Sequence, residues 1–250
     1  MYSNSMESGT SRGRSETAET AAVAREVEPK ARRGPRRSLA LRQVVDAALD
    51  VVDEGGPEAL SVRAVAGRLG VNPNALYTYV ASRAALEREI VERVLADSDL
   101  SLLDGANRNW HQRVLDYATS LRTSLLAHPG VARLMMTAPM DGPTALLVGE
   151  RLIRAIIEGG LAPDDAARAS YALIVQVLGA VALEVAETDG KPPLPPERDR
   201  IAGRRAALQW LDPADWPMTA ATKDVTAQWI STEQFVWSVQ ALLDGIAGRA

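Results

Sequence analysis

Three observations predict an all-α fold. Apolar residues recur at three- and four-residue steps wherever the chain carries enough of them to bury. No segment alternates β-branched and polar residues as a strand would. Ser, Asn and Pro stand where the periodic runs begin, and Gly where several of them stop.

Residues 1–37 are rich in Ser, Glu, Thr, Ala and Arg and poor in large apolar side chains, so disorder is expected there. Structure begins near Ser38. Leu41, Val44, Val45, Ala48, Leu49 and Val52 make the apolar stripe of a first helix, which Gly55-Gly56 stops through a left-handed cap. Ser61 caps a short helix, Val62 to Leu69, and Gly70 ends it. Asn72-Pro73 reads as the cap and first position of the next helix, Pro73 to Val80, since proline lacks a donor that this position leaves idle anyway. Ser82 caps a fourth helix reaching about Asp97, with Leu86, Ile90, Val94 and Leu95 on its apolar side.

The remainder reads as helices over Trp110 to Leu126, Val131 to Met136, Pro143 to Glu158, Pro163 to about Glu187 and Arg198 to Leu211, then one capped by Ser231. His128-Pro129-Gly130 breaks the first two apart. The proline-dense run from Asp189 to Pro196 is a loop, and residues 212–230 read as irregular. The expected division is an arm over 1–37, a domain of four helices over 38–97 and a larger helical domain over 98–250.

Composition removes whole classes. With 46% apolar residues the chain can bury a core. It has no cysteine and two histidines, His111 and His128, so neither a disulfide scaffold, a thiolate metal site nor a histidine-rich one can be built. No nucleophile with a base and an orienting group stands out, and no Gly-rich phosphate loop. We therefore expect no enzyme, no cofactor and no metal. No apolar run is read as long enough to span a bilayer, and the N-terminus lacks the apolar stretch of a secretory signal, so a cytoplasmic protein without a membrane partner is expected.

The formal net charge of −4 hides a basic stretch. Lys30, Arg32, Arg33, Arg36, Arg37 and Arg42 fall within thirteen residues that hold no acid. Such a cluster is an electrostatic footprint for a polyanion, and the cluster over 30–37 sits in a segment that could enter a minor groove. A solvated linker would carry the same charges.

Two short helices joined by Gly70-Val71-Asn72 make a helix-turn-helix candidate. Val62, Val65 and Ala66 supply the apolar underside of its first helix. Asn74, Ala75, Tyr77 and Thr78 supply small or hydrogen-bonding groups at outward positions of the second. Asparagine can bond an adenine edge, and the methyls of Ala75 or Thr78 can meet a thymine methyl. Any helical hairpin has a glycine turn, so the surrounding residues carry more weight. The run from Leu60 through Ser82-Arg83-Ala84-Ala85-Leu86, preceded by Asp46-Ala47-Ala48-Leu49 and Glu54-Gly55-Gly56, resembles the DNA-binding domain of the TetR family. Trp110, Arg122, Leu125-Leu126, His128 to Leu134, Leu178-Gly179 and Phe235 with Leu242-Leu243-Asp244-Gly245 are similar to the regulatory domain of its Tet repressor subgroup. The likeness runs from about residue 39 to the end, leaving out 188–230.

That resemblance implies roles residue by residue. Arg63 matches a position that reads a guanine, and Asn74 and Ala75 match base-facing positions. Tyr77 and Tyr79 match an aromatic pair that touches phosphate and thymine, although for Tyr79 packing between helices is the favoured reading. Arg83 matches a phosphate clamp. Ser61 is a cap first and a phosphate contact second. The metal-binding histidine of the subgroup's Mg²⁺–tetracycline site is Met135 here, its asparagine is Tyr117, a phenylalanine is Leu121 and a further histidine is Asp99. A chelate site is therefore not expected. Asp99, Tyr117, Leu121, Leu134, Met135 and Met136 would instead line an apolar, adaptable pocket with Tyr117 as polar handle. The methionines could as well pack the core. The helices near 163–187 and 231–247 are implied to pair with their copies in a homodimer.

The expected function is a ligand-responsive repressor of a palindromic operator, released by a small hydrophobic antibiotic or biosynthetic intermediate and controlling an exporter gene. A constitutive DNA-binding regulator with a purely structural C-terminal domain is the alternative.

Overall fold

The computed structural model describes residues 39–105 and 109–248. Leu39–Ala250 forms one compact unit. Among the described residues there are helices and no strand. In chain order they are α1 (Leu41–Gly55), α2 (Val62–Leu69), α3 (Pro73–Leu76), α4 (Arg83–Asp97), α5 (Trp110–Ala127), α6 (Pro129–Leu134), α7 (Pro143–Glu158), α8 (Pro163–Ala186), α9 (Glu197–Ala207), α10 (Pro217–Ala221), α11 (Lys223–Thr226) and α12 (Thr232–Ala247). Short 3₁₀ turns occupy Pro57–Ala59 and Leu100–Leu103.

Where the boundaries differ from the sequence expectation, a local cause is visible. Gly56 ends α1 at φ 76° and ψ 174°, an extended exit rather than a left-handed cap, because Pro57 must start the following turn. α3 closes at Leu76 rather than Val80. Tyr77 keeps helical angles, and the amides of Tyr79 and Val80 both reach the Leu76 carbonyl, so the turn runs on without a regular ladder. α6 begins at Pro129, inside the expected break and two residues before Val131, since proline fits a first helical position. The stretch expected to be irregular holds α10 and α11, the former opened by Pro217.

α1, α2, α3 and α4 close over Val44, Ala48, Val52, Val65, Leu76, Leu86 and Ile90, all fully or nearly fully buried. α5, α7 and α8 form the centre of the rest, with α12 against α5 and α8 and α6 wedged between α1 and the body. The 188–230 region is held down by charge. Arg122 of α5 donates to Glu184 of α8 at 2.7 Å, and Arg200 of α9 donates to the other oxygen of Glu184 at 2.5 Å. Arg204 bonds Glu187 and, at 2.7 Å each, the carbonyls of Ala227 and Ile230. A buried carboxylate gripped by two guanidinium groups keeps its geometry, because losing one partner would strand a charge in a low dielectric.

α8 corrects one expectation. Its 24 residues include an 18-residue window of mean hydropathy 1.8, long and apolar enough to cross a bilayer by length and composition. Gln176 and Glu184 break the run in the sequence but do not lower the mean enough. Only 39% of that window is buried in the chain, so α8 packs one side inward and leaves Tyr171, Val175 and Leu183 bare on the other.

The α1–α6 junction carries an ion pair that titrates. His128 Nδ1 lies 2.7 Å from Asp53 Oδ2, and the bond to Asp53 raises the histidine's pKa above 6.5 against the opposing pull of burial. Arg93 and Asp97 of α4 also act on it, in opposite senses. A raised folded pKa means the pair stabilises fully below the unfolded value and fades as pH rises through the folded one. Stability in urea should therefore decline in the window just above pH 6.5, and Asp53→Asn should flatten that decline. An unchanged pH profile in the variant would remove the pair from the account.

Candidate functional site

The second and third helices are too short to hold themselves, and side chains hold them instead. Ser61 Oγ accepts the Ala64 amide at 3.0 Å and fixes the start of α2. Gly70 ends it in the left-handed region at φ 65°, where a Cβ would be strained, and the Val71 amide returns to the Ala66 carbonyl at 3.0 Å. Asn72 Oδ1 accepts the Asn74 amide at 2.9 Å and opens α3 with Pro73 at its first turn. Leu76 and Val80, at 0% and 2% exposure, nail the inner side down.

That anchoring decides what faces out. Asn74, Ala75, Tyr77, Thr78 and Tyr79 are exposed on one short stretch, with Arg63 exposed on α2. Tyr77 is 55% exposed, a large ring in water with no packing duty to explain it. Thr78 differs, since its hydroxyl donates to the Ala75 carbonyl at 2.8 Å. The Tyr79 hydroxyl donates to the Leu39 carbonyl, which ties the entry to α1 against the end of the recognition turn. Its packing role is thus visible. Arg83 is also engaged. Its three guanidinium nitrogens donate to Glu87 at 2.7 Å and to the Leu60 and Pro57 carbonyls at 3.1 and 2.9 Å. Arg32, Arg33, Arg36 and Arg37 lie outside the described residues.

Residues that the sequence did not single out complete the support. Arg68 bonds both oxygens of Glu54 at 2.7 Å and Asp50 at 3.0 Å, clamping α2 on α1. This contact holds the Glu54 carboxyl below the ordinary carboxylate range. Glu92 of α4 accepts the Thr144 and Ala145 amides at the start of α7, and Arg88 bonds Asp141 through both oxygens. Only the i to i+4 spacing of some surface pairs is readable in a sequence. Contacts between residues fifty apart are not.

The expected ligand residues divide. Tyr117, Leu121, Leu134 and Met135 come together in the core, each no more than 4% exposed. The Tyr117 hydroxyl accepts from Ser98 at 3.4 Å, and burial pushes its pKa up to about 12. Met136 is apart from them at 59% exposure. Asp99 is exposed and caps the 3₁₀ turn, taking the Ser101 amide at 3.0 Å. Open space lies elsewhere, in a groove between α8 and α12. One stretch of about 590 Å³ is lined by Arg122, Tyr171, Val175, Trp229 and Phe235. A second of about 400 Å³ continues it past Ala172 and Leu242, which border both. Among the described residues, no group of three or more His, Asp or Glu side chains is placed to hold a metal ion.

Residues 44–90 match the model described as bacterial regulatory proteins, tetR family, and residues 104–249 match that of the tetracyclin repressor-like C-terminal domain. The second match spans 188–230 as well. The chain is 27% identical to the HTH-type transcriptional repressor DrrR1 of Streptomyces coeruleorubidus, over 96% of this chain and 95% of that one. It is 28% identical to the class A tetracycline repressor protein of Escherichia coli, covering 82% and 89%. A crystal structure of a possible TetR family transcriptional regulator from Streptomyces coelicolor superposes with a TM-score of 0.70 at 28% identity, covering 84% of this chain and all of that one.

Ser61→Ala should cost about 1 kcal/mol of stability by freeing the Ala64 amide. Urea titration checks this; no loss would mean water replaces the cap in full.

Proposed function

Because the chain belongs to the TetR family of bacterial regulatory proteins, we propose that it is a ligand-responsive transcriptional repressor that binds a palindromic operator as a homodimer. It is a DNA-binding regulator and not an enzyme. The carrying observation is the outward set of Arg63, Asn74, Ala75 and Tyr77, displayed on helices whose inner sides are fully anchored. Arg63 and Asn74 read bases, while Tyr77, Thr78, Ser61, Tyr79 and Arg83 set register on the backbone. For Arg83 that requires giving up a carbonyl bond or acting by position alone. Arg32, Arg33, Arg36 and Arg37, outside the described residues, add affinity through phosphates in this reading.

The homodimer forms through α8 and α12. α8 is mostly apolar yet leaves Tyr171 73% and Val175 49% exposed, and Trp237 of α12 is 65% exposed. A bare apolar stripe of this kind calls for a partner surface. A second copy supplies a matching stripe and gives the two recognition helices their half-site spacing. The protein is cytoplasmic in this reading, and α8 faces protein rather than lipid.

The effector is a small hydrophobic molecule, an antibiotic or biosynthetic intermediate, received around Tyr117, Leu121, Leu134 and Met135, with Met136 and Asp99 at the margin. An exporter gene is the target. One observation favours the second reading, a constitutive regulator: the Tyr117–Met135 cluster is filled by its own side chains. Footprinting on the protein's own upstream region, with and without candidate effectors, separates the two.

Arg63→Ala should cost about 1–3 kcal/mol of operator binding and relax one base position; uniform weakening across sequences would make it a phosphate contact. Deleting residues 1–37 should lower the log–log salt slope by about 0.9 per lost phosphate contact. Val175→Glu should yield monomers in sedimentation, and a dimer of unchanged strength would move the interface elsewhere.

A further inference from the structure

α4 belongs to two bodies at once. Its first turns carry Leu86 and Ile90, buried with Leu76 and Val80 beneath the recognition turn, and Arg83, bonded to the carbonyls just ahead of α2. Two residues beyond Ile90, Glu92 reaches out of the head altogether. Its Oε2 accepts the Thr144 amide at 2.6 Å and its Oε1 the Ala145 amide at 3.1 Å. These are the free donors at the start of α7, and α7 has no side-chain cap of its own, because its cap residue is Gly142.

The contact is built for close approach. A Cβ on Gly142 would lie 2.3 Å from the Glu92 carboxylate, so any side chain there would push that carboxylate off the α7 amides. The preceding residue, Asp141, holds Arg88 of α4 at 2.7 and 3.0 Å, which lowers the Asp141 pKa. A carboxylate at a helix N-terminus also meets the positive end of the helix dipole. α7 in turn packs on α8 and α5, the helices of the bare stripe and of the Tyr117 cluster.

We propose that Glu92 is a positioning residue for operator reading: by capping α7 it fixes the angle at which α4 presents the recognition turn, and so the distance between the two recognition turns of a dimer. This rests on the DNA-binding, dimeric reading above. The chemistry is directional. A carboxylate accepts from both amides, whereas glutamine accepts with one oxygen and sets an NH₂ against the second donor.

The test uses the full chain and a duplex selected from random-sequence DNA. From that duplex a set is made with the half-sites moved apart or together by one base pair. Wild type should discriminate sharply against both shifts. Glu92→Gln and Gly142→Ala should each flatten that discrimination by about fivefold or more while the salt slope stays as it was. Arg88→Gln should move it in the same direction. Melting is recorded for every variant, and if Gly142→Ala does not fold, Glu92→Gln and Arg88→Gln carry the test. Variants that lose stability but keep the wild-type spacing profile overturn the proposal and leave Glu92 a structural cap. A wild type that selects no duplex overturns the functional reading, and this proposal with it. A wild type with sharp spacing and indifferent variants overturns this proposal alone.

Discussion

The four-residue helix α3 cannot exist by itself. A single turn fixes several backbone angles for one or two hydrogen bonds, and its own ladder returns too little. What keeps it folded is the burial of Leu76 and Val80, with Asn72 closing one end and Gly70 turning the chain into it. Because the inner side is wholly committed, the outer side is free to carry residues that contribute nothing to stability. Tyr77 and Asn74 can sit in water only because Leu76 does not. The base recognition proposed above needs rigid display, and the apolar anchor beneath the turn would supply it.

Charge does the second part of the work, by joining elements that hydrophobic contact alone would let slide. Arg68 locks α2 to α1, Arg83 locks α4 to the turn ahead of α2, and His128 locks α6 to Asp53 of α1. The exposed Arg68–Glu54 pair adds little free energy, but its bidentate geometry restricts orientation. Further into the body the balance changes. Glu184 sits at 3% exposure between Arg122 and Arg200, where ionic contacts specify geometry at a substantial desolvation cost. The Nε of Arg122 has no hydrogen-bond partner, and its guanidinium carbon lies 5.3 Å from the Phe235 ring centroid. Its guanidinium faces an aromatic surface, a partial substitute for a hydrogen bond.

Sequence patterns reached the helices and not their joints. Period and caps located α1, α2, α4, α5, α7, α8 and α12 within a residue or three, since Ser61, Asn72, Ser82 and Ser231 act locally and their bonds span two or three residues. The outward set on α3 was legible for the same reason. Glu92, Arg68 and the Glu184 network were not, because each partner lies well away in the chain and only the fold brings it near. α10 and α11 were missed because five- and four-residue helices carry no full apolar period. Met136 shows the limit of position-by-position likeness. Its neighbour Met135 is at 4% exposure, yet one residue further round the turn the side chain is in solvent.

α8 joins the two halves of the problem. A helix that is apolar all round normally lies inside a larger core or a membrane. Here one side is inside, against α5, α7 and α12, and it carries the one acid, Glu184, that needs two arginines to be buried at all. A charge so tightly partnered within the chain fixes which way the helix faces, and that orientation leaves Tyr171, Val175 and Leu183 outward together. The bare stripe is therefore a consequence of the buried ion network and of the helix's rotation, not of a shortage of core. A second copy meeting that stripe would inherit its rigidity. Any shift of α7 against α8 would then change the relation between head and dimer axis, which is the relation a two-headed reader of a palindrome must hold constant.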